Sequence, residues 1–150
     1  MDTWTGDRGR AGVEELADRA HNIRRYVLAQ ATGKGEGYVA QALGIADLLA
    51  VLYFSELRYD RQDPDAANRD RFLLSTGHYS IALYAALAEA GLLPVEELPT
   101  YGLNGSALPM STDDSRPFIE ILGGSLGQGL GQGIGMALAL RLDGNDARVY

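Results

Sequence analysis

GGSLGQGLGQGIGMALALRL, residues 123–142, carries seven glycines in its first thirteen positions and then turns into an apolar helix-forming run. Glycine recurs at every second position from Gly127 to Gly135. On a helix, Gly127, Gly131 and Gly135 share one face and Gly129 and Gly133 another. Each glycine in a helix interior costs roughly 1 kcal/mol relative to alanine, so the set costs about 4 to 5 kcal/mol and needs a compensating close approach. Tight packing against another helix, across a subunit interface, and ligand contact at the helix start both meet that need. The overlapping G-x-G patterns also admit a dinucleotide fingerprint, with residues 119–122 as the preceding strand and Asp143 or Asp146 as the acid, although no second strand follows to complete the unit. No lysine follows the glycines, which excludes a phosphate loop. Ser125, Gln128 and Gln132 break the apolar run that a membrane-spanning G-x-x-x-G helix requires.

Working outward, strands alternate with helices. Val13, Leu16, Ala20, Ile23 and Val27 step by three and four, which predicts a first helix ending before Gly33, followed by a flexible loop over residues 33–37. Residues 45–57 are apolar nearly all round and predict a buried second helix. The charged, turn-rich residues 58–71 form a surface connector. Residues 72–75, FLLS, read as a short buried strand that turns at Thr76 and Gly77 into a helix over residues 79–90, capped by Gly91. Residues 94–121 hold a short helical piece and a long loop, and residues 147–150, ARVY, begin another strand. The alternation predicts an α/β domain with a largely parallel sheet flanked by helices, over residues 13–150, after a flexible tail of residues 1–12.

The totals narrow the function classes. With 150 residues and 46% hydrophobic content the chain is long enough for one domain with a core. Its net charge of -7 disfavours nucleic acid, and the absence of cysteine excludes disulfides, thiolate zinc sites and a cysteine nucleophile. No stretch offers about 20 apolar residues for a membrane span, and the N-terminus lacks a signal-peptide core, so a cytoplasmic location is expected.

Of the two histidines, His21 lies among polar residues of the first helix and reads as a surface residue. His78 sits in STGH, residues 75–78, where a strand turns into a helix. Ligands of open α/β sheets collect at that end of the strands, and a helix start offers N–H groups to anions, so His78 is either a ligand-facing or a helix-capping residue.

These blocks in this order resemble the N-terminal part of transketolases, specifically the thiamine-diphosphate-binding subunit of the split, two-chain kind. The blocks are IRRYVL at 23–28, ADLLAVLYF at 46–54, RDRFLLSTGHYSIALYAALAEAG at 69–91, GGSLGQGLGQGIGMALALRLDG at 123–144, and RVY at 148–150. The resemblance implies an enzyme that binds thiamine diphosphate through a divalent metal, Mg2+, and transfers a two-carbon ketol unit. By the same resemblance His78 lies by the cofactor diphosphate, Gly124, Ser125 and Leu126 form the loop at the aminopyrimidine side, and Gly127 and Gly129 let the next helix start.

Two departures stand out. Where the family carries a histidine in S-G-H, this sequence has Tyr38, and where it carries one in G-H-P-E or G-H-P-D, the nearest counterpart is Ser111. In the family both histidines face the substrate, so Tyr38, His78 and Ser111 are the candidate catalytic residues here. A tyrosine hydroxyl donates one hydrogen bond but, with a pKa near 10, exchanges protons poorly at neutral pH, which implies a different donor. The family's G-D-G metal and diphosphate segment, and the pyrimidine-binding region with its catalytic glutamate, have no counterpart in these 150 residues. The expectation is therefore no metal ligand in this chain, and a hetero-oligomer of dimeric symmetry in which complementary subunits supply those parts. A fragment of a longer chain, and a catalytically silent structural subunit of such a complex, are the other readings.

Overall fold

The computed structural model describes residues 11–150. The expected tail, residues 1–12, falls almost wholly outside the described residues. Helix α1 spans Val13–Lys34, with Glu14 and Glu15 in its first turn and Lys34 in its last, the arrangement that complements the helix dipole. It passes through Gly33 because that glycine meets another chain segment: a Cβ there would lie 2.7 Å from the Pro99 carbonyl oxygen. The left-handed cap falls instead at Gly35, φ 81°, whose N–H donates to the Ala31 carbonyl. The predicted loop over residues 33–37 is thus shorter at its start.

The expected single helix over residues 45–57 is two pieces, preceded by a separate short helix. Helix α2 spans Val39–Gly44, α3 spans Ala46–Val51, and a π-helical turn covers Leu52–Glu56. Ala46, Leu49, Ala50 and Tyr53 are buried, while Leu48 and Val51 face solvent. A short 3-10 turn, Gly77–Tyr79, leads into α4, Ser80–Glu89, in which every residue from Ser80 to Ala88 is buried. Helix α4 is therefore the central element, with α1, α2 and α3 against it. Buried Gln30 of α1 donates through Nε2 to the Ile81 carbonyl at 2.9 Å, which fixes the crossing of α1 over α4.

Another 3-10 turn, Val95–Thr100, and a long loop lead to α5, Gln128–Leu142. The parallel sheet is present as its beginning only. Among the described residues there is no full strand, and Arg71 and Val149 form a single parallel bridge. Three backbone hydrogen bonds build it: Arg71 N–H to Arg148 O, Tyr150 N–H to Arg71 O, and Leu73 N–H to Tyr150 O. Buried Asp70 clips the pair from the side, accepting the Arg148 N–H at 2.7 Å and the Arg58 N–H at 3.0 Å. Residues 119–122, the strand that a dinucleotide fingerprint would need, join no ladder; Glu120 instead pairs with Arg69 and lies 3.7 Å from Arg71.

Candidate functional site

The site begins with two glycines that touch. A Cβ on Gly77 would lie 2.4 Å from the Gly123 Cα, and a Cβ on Gly123 would lie 2.3 Å from the Thr112 Oγ1. Three bonds lock this crossing: Thr112 N–H to Gly77 O at 3.1 Å, Gly123 N–H to Thr112 O at 2.8 Å, and Ser111 Oγ–H to Gly123 O at 2.9 Å. The 109–112 segment is itself held on α4, because the Pro109 carbonyl accepts both the Ser80 and the Tyr84 hydroxyls. Burial pushes the Tyr84 hydroxyl well above the ordinary tyrosine range, with Asp113 adding to the rise, so it stays a donor.

His78 follows Gly77 in the chain as Gly124 follows Gly123, so both segments lead away from the same crossing. Its ring meets Tyr38 at 4.7 Å and Tyr79 at 4.6 Å between centroids, both near edge-to-face. Tyr38 arrives from the loop after α1. Gly37, φ 156°, rests on α4, since a Cβ there would lie 3.0 Å from the Ile81 Cδ1. Gly124, Ser125, Leu126 and Gly127 face solvent, with nothing within 4 Å of a Cβ at Gly124. Gly127 caps α5 in the left-handed region, φ 84°.

Tyr38 and His78 thus meet through their rings, and Ser111 meets the glycine crossing from which His78 and residues 124–127 lead away. The Ser111 hydroxyl is engaged by the Gly123 carbonyl, so its side chain holds the loop. His21 is exposed on α1, away from this cluster in the chain, as its polar neighbours suggested. Tyr79, Gly77, Gly123 and Thr112 were missed as site-forming residues. A glycine before the histidine and a doubled glycine before Ser125 were the only signals in the sequence.

The start of α5 is not open to an anion. Gln128 N–H donates to Ser125 O, Gly129 N–H to Ser75 Oγ at 3.1 Å, and Leu130 N–H to Gly127 O. The glycine faces also divide. Gly129 sits on Ser75, where a Cβ would be 2.7 Å from the serine Cβ, and Gly133 faces Val149 and Leu73. Gly131 and Gly135 have nothing within 4 Å, and beside them Leu126, Leu130, Ile134, Leu138 and Leu142 form an exposed apolar stripe. The expected close approach is therefore internal for one face, made by Leu73, Ser75 and Val149 rather than by a helix.

The residues fit thiamine diphosphate in part. His78 and an uncovered backbone loop offer donors and contact edges of the right kind. A hard divalent metal needs clustered oxygen ligands, and among the described residues no three of His, Cys, Asp and Glu come together. No helix among them is long and apolar enough to cross a membrane.

Comparison with known proteins identifies the family. Residues 16–147 match the family described as transketolase, thiamine diphosphate binding domain. A transketolase family protein of Sinorhizobium fredii is 55% identical over 136 residues, covering 90% of this chain and 49% of that protein. The 6-deoxy-6-sulfo-D-fructose transketolase subunit SqwG of a Clostridium species is 40% identical over 137 residues, covering 91% and 50%. Transketolase from Leishmania mexicana superposes with a TM-score of 0.78 at 34% identity, over 86% of this chain and 19% of that one. The chain spans about half the length of these curated relatives. Family match, ordered motifs and fold converge, and the chain belongs to the transketolase family through its thiamine diphosphate binding domain.

Proposed function

We propose that this chain is one subunit of a multi-chain, cytoplasmic, thiamine-diphosphate-dependent transferase that moves a two-carbon ketol or related acyl unit from a non-standard donor to an aldehyde-type acceptor. The observation that carries this reading is the Gly77–Gly123 crossing, from which both His78 and the exposed 124–127 loop lead away. His78 binds the diphosphate, and Gly124, Ser125, Leu126 and Gly127 line the aminopyrimidine side. The bound cofactor supplies the electron sink for carbon–carbon cleavage. Tyr38 offers its hydroxyl to the donor, and Ser111 keeps the loop at the height this requires. Mg2+ ligands, the G-D-G segment and the pyrimidine-binding domain with its catalytic glutamate come from complementary polypeptide. The apolar stripe of α5 is the assembly face, in a complex of dimeric symmetry.

Support for a non-standard donor comes from Tyr38 in place of an imidazole, and from a relative named for a sulfonated sugar. Co-purification with complementary chains, followed by calorimetric titration of thiamine diphosphate with Mg2+, tests the reading. The assembled complex is expected to bind the cofactor, and His78→Ala to weaken it by about 1 to 3 kcal/mol, the range for a charge-assisted hydrogen bond. A complex that assembles but binds no cofactor would make this chain a structural subunit.

A further inference from the structure

We propose that Tyr38 and Tyr79 are positioning residues that clamp the His78 imidazole through their rings, orienting it without using either ring nitrogen. The purpose of the clamp rests on the functional reading above; its geometry does not. The His78 ring lies 4.7 Å from Tyr38 at an interplanar angle of 63°, and 4.6 Å from Tyr79 at 81°. The two tyrosine rings are 6.5 Å apart, so the imidazole sits where both converge.

A catalytic-site histidine is commonly oriented by a hydrogen bond from one ring nitrogen to a carboxylate or carbonyl, which leaves one nitrogen for the ligand. Among the described residues no hydrogen bond to the His78 ring is made, and no carboxylate lies against it. Two near edge-to-face contacts restrict the ring instead, and neither ring nitrogen is taken up by a protein hydrogen bond. The clamp joins distant parts of the chain. Tyr79 is fixed by the 3-10 turn that carries His78, while Tyr38 is brought in by Gly37, whose backbone rests on Ile81.

The chain's two histidines make the test direct, because exposed His21 is an internal reference. In NMR spectra of the full chain, the His78 ring C–H signals should be displaced from those of His21 by the tyrosine ring currents. Tyr38→Leu and Tyr79→Leu, which keep apolar bulk, should each move the His78 signals toward the His21 position, and the Phe variants should leave them displaced. In the assembled complex each Leu variant should weaken thiamine diphosphate binding roughly 2- to 10-fold, the scale of one aromatic pair. The Phe variants should keep wild-type cofactor affinity, with any loss in Tyr38→Phe confined to the KM of the donor. His78 signals unmoved by both Leu variants, or Leu variants that bind cofactor as tightly as wild type, would overturn the clamp. If the wild-type complex binds no cofactor, the functional reading fails by itself, and the ring shifts still decide whether the clamp exists.

Discussion

Gly123 and Gly124 are neighbours in sequence and opposite in consequence. Alanine at 123 places a methyl within 2.4 Å of both Thr112 and Gly77, whereas alanine at 124 meets nothing within 4 Å. Gly123→Ala should lower unfolding free energy by about 1 to 3 kcal/mol, the cost of overpacking, while Gly124→Ala should stay within about 0.5 kcal/mol. Urea denaturation of the two variants measures the difference, and equal stability would show that the crossing is loose. At this scale His78 and the 124–127 loop were legible as a motif. Tyr79 was not, because its contact with His78 depends on the turn geometry, and neither was the pairing of Gly77 with Gly123, which are 46 positions apart.

Helix α5 shows the same division along one element. Its alternating glycines foretold two faces, and the structure assigns them: Gly129 and Gly133 lie on Ser75, Leu73 and Val149, and Gly131 and Gly135 are open. Gly129→Ala should destabilise the chain by about 1 to 3 kcal/mol through contact with Ser75. Gly131→Ala should stabilise it by up to about 1 kcal/mol, since only helix propensity changes. Thermal melts of the two variants should therefore move in opposite directions. Gly131→Leu adds bulk beside the stripe of Leu130, Ile134 and Leu138, and should block co-purification of the complementary chain while leaving the fold intact; undiminished assembly would remove α5 as the assembly face. In α1 the spacing marked Ala20, Ile23 and Val27, which are buried, but also Val13, which is exposed at the start of the helix; the end at Lys34 was not readable, because Gly33 answers to Pro99 rather than to its helix neighbours.

Across the whole molecule the core is rich in tyrosine around α4. Burial raises the hydroxyls of Tyr53, Tyr84 and Tyr101 above the ordinary value near 10. The sign follows from linkage: above pH 10 the unfolded chain loses protons that the native state keeps, so stability is fully present below about pH 10 and falls as pH rises beyond it. Denaturation midpoints should be level between about pH 8 and 9.5 and decline above pH 10, less steeply in Tyr84→Phe. That variant costs only a modest amount at neutral pH, since Ser80 still donates to the Pro109 carbonyl. A midpoint flat to pH 11 would contradict the burial of these hydroxyls. Composition and hydrophobic pattern announced a core without saying which polar groups it encloses.

What the sequence by itself determined is local or modular: the helical faces, the turn into α4 at STGH, the glycine loop ahead of α5, and membership of a family through ordered motifs. Those properties rest on periodicity and turn chemistry within a few residues of one another. Only the tertiary structure decided which glycines are spent on contact, which rings surround His78, that Ser111 is tied to Gly123, and that the parallel pairing among the described residues is a single bridge. These depend on backbones separated by tens of residues meeting within a few ångströms, a distance that no local pattern encodes.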